Sequence, residues 1–179
     1  DDPVAFQKLA TDAGWGDGLP LVPPTEERVR EHLVTSGRFP DECVAELPPR
    51  NGRCTIEKVA VNAVMAGGAP EHFPVILALA SSGDTGRQSS MSSMGNMVLV
   101  NGPIRHEIGM NSGVGALGPY NHANSAIGRA FGLLSQNLQG GSAADKLTGD
   151  ALANGLFGNG GNDTLYGMGG NDTLNGGLG

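Results

Sequence analysis

Four carboxylate or amide side chains recur every nine residues near the end of the chain: Asp145, Asn154, Asp163 and Asp172. Each is followed two positions later by a leucine: Leu147, Leu156, Leu165 and Leu174. Set out in nines, the segment reads GGSAADKLT from Gly140, GDALANGLF from Gly149, GNGGNDTLY from Gly158 and GMGGNDTLN from Gly167. A closing GGLG opens a fifth unit at Gly176. Glycine reaches left-handed backbone angles freely, so such a unit turns tightly and aims its carbonyls one way. The carboxylate adds an anionic oxygen beside them. That donor set suits a hard cation, and calcium, which takes about six to eight oxygen ligands, suits it best. The ligand-bearing positions are then Asp145, Asn154, Gly158, Gly160, Asn162, Asp163, Gly167, Gly169, Asn171 and Asp172.

These units resemble the haemolysin-type (RTX) calcium-binding nonapeptide, G-G-x-G-x-D-x-U-x. The third and fourth match it well; the first and second are degraded. The resemblance spans residues 140–179 and implies a parallel β-roll, in which two nonapeptides complete one turn and calcium lies between loops stacked on the same side. Asp145 then pairs with Asp163, and Asn154 with Asp172. Asn154 is neutral, so the Asp145/Asp163 side is expected to hold calcium more tightly. A flexible glycine-rich linker is the plain alternative, but a linker has no reason to keep aspartate and leucine in phase. The units carry few apolar groups, and stacked carboxylates repel. The roll is therefore expected to fold only as it takes up metal, so that binding free energy is folding free energy.

The resemblance also implies export from a bacterium by a one-step route that reads a signal at the extreme C-terminus. The sequence stops inside a repeat and starts at Asp rather than Met, so a longer parent chain is expected. The net charge of -7 and the lack of any basic run argue against nucleic-acid binding and for a cation as partner. The longest apolar run, FPVILALA from Phe73, is far short of the roughly 20 residues that cross a bilayer. Cys43 and Cys54 flank a proline-containing loop. They read equally as a disulfide outside the cell or as two buried thiols, and their spacing does not suit zinc.

Any chemistry in the first 139 residues must be positioned by helices and short strands. Asp2-Pro3 starts a helix with Val4, Phe6, Leu9 and Ala10 as its apolar face, and Gly14 ends it. GWGDGLPLVPP, from Gly14 to Pro24, is a rigid loop. Thr25 caps a second helix with Val29, Leu33 and Val34 as inner stripe, stopped at Gly37. Cys43 to Leu47 is expected as a short strand. Thr55 caps a third helix, closed by Gly67-Gly68, and a fourth apolar segment, more helical than extended, runs from Ala69 to about Ala80. Ser81 to Gly95 is a polar loop. Met97 to Val100 reads as a buried strand, Asn101-Gly102 as a turn, and Ile104 to Met110 as a returning strand weakened by Pro103. Ala123, Ile127, Ala130, Phe131, Leu134 and Leu138 recur at helical spacing and place a last helix before the repeats.

The stretches DGLPLVPPTEERV (Asp17 to Val29), EKVAVNAVMAG (Glu57 to Gly67), PEHFPV (Pro70 to Val75) and NGP-to-GRA (Asn101 to Ala130) resemble a bacterial domain of unassigned function. That resemblance supplies no mechanism. Glu71-His72 and His106-Glu107 have the groups for an acid/base pair, or for a metal site should their loops converge. Glu71, His72, Arg105 and His106 are therefore the candidate catalytic residues, with Glu57, Lys58, Glu107 and His122 as further polar groups. Arg105 with Asn101 and Asn111 suits a carboxylate ligand; turn hydrogen bonding is their plainer role. No zinc-protease or serine-hydrolase signature occurs. GVGALG, Gly113 to Gly118, has dinucleotide-loop spacing but lacks a βαβ unit around it, so a glycine-rich turn packed against the sheet is the better reading.

The expected architecture is α+β: a mixed helix/strand domain over residues 1–139, then a short parallel β-roll over 140–179. The expected role is that of a secreted bacterial calcium-binding protein whose repeats fold on calcium and stabilise the preceding domain. The alternatives are an extracellular enzyme and a calcium-dependent surface, adhesive or filament subunit. A homo-oligomer and a longer parent chain are the remaining partner alternatives.

Overall fold

The structure is a computed structural model that describes residues 2–47, 52–84, 97–118, 120–139, 146–148, 151–153, 155–157 and 164–176. Helix α1 covers Pro3–Asp12, started by Asp2, whose carboxylate accepts the Val4 N–H at 2.9 Å. Helix α2 covers Glu26–Ser36, with Thr25 as N-cap and Gly37 at φ 62° as left-handed stop. Strands β1 (Cys43–Leu47) and β2 (Gly52–Thr55) form an antiparallel pair. Thr55 then caps α3, Ile56–Met65. A 3-10 turn, Pro70–His72, leads straight into α4, Phe73–Ser81. The short α5 is Ile104–Glu107, and α6 is His122–Gln139. Four three-residue strands follow in the repeats: β3 (Lys146–Thr148), β4 (Gly155–Phe157), β5 (Thr164–Tyr166) and β6 (Thr173–Asn175).

Helix α3 lies at the centre of the front region, packed against α2, α4 and α6. Its Val59, Ala60, Ala63 and Val64 are buried together with Phe73, Ile76 and Ala80 of α4 and Ile127, Ala130, Leu133 and Leu134 of α6. Alanine at so many contact positions lets helix axes approach closely, which explains how a core so poor in aromatics still fills. Buried polar groups are paired. Asn62 of α3 donates to the Lys58 carbonyl at 2.8 Å and accepts from Asn137 of α6 at 2.6 Å.

The 14–24 loop is tied down on both sides. Gln136 donates to the carbonyls of Gly14 and Gly16, the Val22 N–H reaches Met65 O, and Arg129 of α6 grips Asp17 through two bonds of 2.8 and 2.9 Å.

Several expectations need correction. Met97 to Val100 is not a strand among the described residues, and Met97 and Leu99 are exposed. Ile104 to Met110 does not return as its partner. Pro103 lacks the N–H that a ladder needs, and its fixed φ of -62° opens the helical turn α5 instead. Val34 points to solvent, while His32 takes the inward position on α2; Val4 and Leu9 are likewise exposed. A further strand, β2, ends at Thr55 and pairs with β1. Cys43 and Cys54 are free thiols, the first exposed and the second buried. The 113–118 glycine loop does not pack on a sheet: Val114 and Leu117 stand fully out in solvent.

Candidate functional site

The repeat strands pair two units apart. Strand β3 runs parallel to β5 with Leu147 opposite Leu165, and β4 runs parallel to β6 with Leu156 opposite Leu174. Units one and three, and units two and four, are therefore neighbours. The same offset continues into the loops. A Cβ on Gly169 would lie 3.6 Å from Ala151 Cα, and one on Gly170 would run into the Leu152 carbonyl. Gly170 also holds φ 109°, so only glycine suits that position. The second and fourth loops thus touch position for position.

Within the fourth unit the Asp172 carboxylate folds back over Gly167, close enough that a side chain there would meet it. An aspartate laid across its own glycine turn, beside the backbone of a stacked loop, is a hard-oxygen donor set of the kind calcium takes. Gly167, Gly169 and Asn171 lie in the same turn. The expected ligands Asp145, Asn154, Gly158, Gly160, Asn162 and Asp163 lie outside the described residues. One residue breaks the local rule: Met168 sits at φ 68°, where glycine or asparagine is at ease. Leu156 and Leu165 are half-buried, and Leu174 is exposed.

Comparison with known families agrees with this geometry. Residues 152–179 match the RTX calcium-binding nonapeptide repeat (4 copies). This segment is a run of such repeats, and calcium is the ion they bind. No curated protein and no solved structure matches the chain significantly.

In the front region, the candidate catalytic residues lie on two elements. His72 is buried and Glu71 is exposed on the 3-10 turn, whereas Arg105 and His106 are on α5. Among the described residues no hydrogen bond, ion pair or ring contact joins the two groups. Asn111 serves its loop: its side chain accepts from the Gly113 N–H at 2.9 Å and donates to Val114 O at 3.1 Å. Asn124 of α6 holds the same loop by bonds to both Asn111 backbone groups and to Ala116 O.

What the fold does bring together is three histidines far apart in sequence. His32 comes from α2, His72 from the 3-10 turn and His122 from the start of α6, and all meet the Gly67–Ala69 turn. The rings of His72 and His122 stand 5.0 Å apart, edge to face. His32 stands edge-on to Phe73 at 5.7 Å. His32 had no visible signal in the sequence, because it occupies a helix position with no motif around it.

Proposed function

We propose that the chain is an exported bacterial protein whose nonapeptide segment winds into a parallel β-roll on meeting external calcium. The roll in turn stabilises the helical region before it. The observation that carries this reading is the shared two-unit offset, held by both leucine pairs and by the Gly169/Ala151 and Gly170/Leu152 contacts. Two nonapeptides per turn is the spacing that sets alternate loops side by side, with their carbonyls and carboxylates available to one ion. Calcium supplies the positive charge that lets stacked carboxylates coexist. The chain supplies the turn glycines, the aspartates and the leucines paired across the strands.

The test is far-ultraviolet circular dichroism of the full chain. Adding calcium should raise the β signal, and a chelator should remove it, while the helical signal persists. A spectrum indifferent to both would overturn the reading. Asp172→Asn should shift the calcium titration to higher concentration, because the loop loses an anionic ligand and keeps a neutral one.

An enzyme in the front region is the second reading, favoured by the His72–His122 contact. His122 Nε2 reaches Gly67 O at 2.6 Å and so carries the proton, which leaves Nδ1 as a lone-pair base on an exposed ring. On this reading His122→Ala abolishes turnover and leaves the helical spectrum unchanged.

A further inference from the structure

The three histidines make different demands on protons, and they make them on one short turn. His72 Nδ1 accepts the Ala69 N–H at 3.1 Å, so that nitrogen must be unprotonated and the ring neutral, with its proton on Nε2. His122 Nε2 donates to Gly67 O. His32 is buried with both ring nitrogens against carbonyls, Nδ1 at 2.8 Å from Arg28 O and Nε2 at 3.1 Å from Gly68 O. Carbonyls only accept, so whichever ring nitrogen carries the proton ties His32 to α2 or to the turn. A cleft of about 220 Å³ lined by Arg28, Glu31, His32, Gly67 and Gly68 opens onto the turn and gives water a path to it.

We propose that the Gly67–Ala69 turn is a pH-sensitive clasp, closed when His72 is neutral and loosened when it takes a second proton. Protonating Nδ1 replaces an acceptor by a donor and sets it against the Ala69 N–H. It also puts a positive charge on a buried ring whose centroid is 5.0 Å from that of His122. The groups acting on His72 are His122 from α6, Glu71 from its own turn and His32 from α2; Arg28 and Glu31 of α2 line the cleft. Helix α4 contributes no titratable group, and the charged Glu57 and Lys58 of α3 lie at that helix's other end. Burial, then His122, hold His72 below the ordinary histidine range; Glu71 pulls the other way, and His32 adds the smallest lowering. A histidine depressed in the folded state contributes stability that is whole above about pH 6.5 and drains as pH falls through the folded value. The turn joins α3 to α4, so loosening it lowers the stability of the helical core.

The test is urea unfolding of the full chain in excess calcium, read by fluorescence of Trp15, the one tryptophan. It compares about pH 7.5 with about pH 5.5, a window in which histidine charges. Wild type should lose up to about tenfold in its folded-to-unfolded ratio, because an unfolded histidine near 6.5 is only about one pH unit above the lower pH. His72→Asn, whose amide oxygen still accepts the Ala69 N–H but does not titrate, should lose clearly less. Equal losses in both would overturn the clasp. Should the variant not fold, nitrogen-15 spectra of the wild-type histidines decide. His72 as the Nε2–H tautomer at neutral pH, changing together with the Ala69 amide on acidification, supports the clasp. A proton on His72 Nδ1 at neutral pH overturns it.

Discussion

Single side chains carry much of the local logic. Met168 holds a left-handed backbone in the loop that carries Asp172, a conformation that costs a residue with a Cβ about 1–2 kcal/mol. Met168→Gly should stabilise the calcium-loaded repeats by about 1 kcal/mol once glycine's greater unfolded freedom is subtracted. Thermal melts of the β signal in saturating calcium check this. The cysteines offer a second measurement. Burial, aided by the nearby Cys43, pushes the Cys54 thiol up to about 11, while Cys43 is exposed. The thiolate is the reactive form. One thiol should therefore react with a labelling reagent in the native protein and two after unfolding. Two reactive thiols in the native state would mean that the β1–β2 pair opens readily.

Among elements, the contact that joins the 14–24 loop to α6 is the most exposed to charge chemistry. The hydrogen bonds from Arg129 hold the Asp17 carboxyl below its usual range, although partial burial pulls the other way. A depressed carboxylate adds stability above its unfolded value, near 3.8, and loses it as pH falls through the folded value. Asp17→Asn should cost about 1 kcal/mol at neutral pH, because Arg129 loses a bidentate anionic partner. The cost should vanish in strong acid, where the wild-type carboxyl is also neutral. Urea midpoints at neutral pH and at steps down through the acid range follow the cost as it falls. The same helix anchors Asn124 and Gln136, so α6 is where loops distant in sequence are fastened.

For the molecule as a whole, the proposal that the repeats stabilise the helical region has its own test. A ligand that binds only the folded form raises stability by mass action. If the two regions are coupled, the Trp15 unfolding midpoint should rise with calcium, and truncation at Gln139 should remove that rise. A midpoint that ignores calcium would leave the repeats folding for themselves alone. The helical core carries enough buried aliphatic surface in α3, α4 and α6 to persist without the ion, whereas half-exposed leucines in three-residue strands do not.

Local chemistry was legible in the residues alone. The nine-residue period, its aspartates and its leucines announce calcium-binding repeats without any coordinates, since a repeat is written directly into the order of side chains. Helix starts at Asp2, Thr25 and Thr55 and the stop at Gly37 were equally plain, because a cap needs only its immediate neighbours. Tertiary structure alone decided that Met97 to Val100 forms no strand and leaves Met97 and Leu99 exposed, since an apolar run becomes a strand only where a partner edge exists. It alone turned His32 inward in place of Val34 and gathered His32, His72 and His122 onto one turn. The reason is physical: convergence depends on how α2, α3 and α6 pack, and no local pattern encodes which distant carbonyl a buried ring will meet.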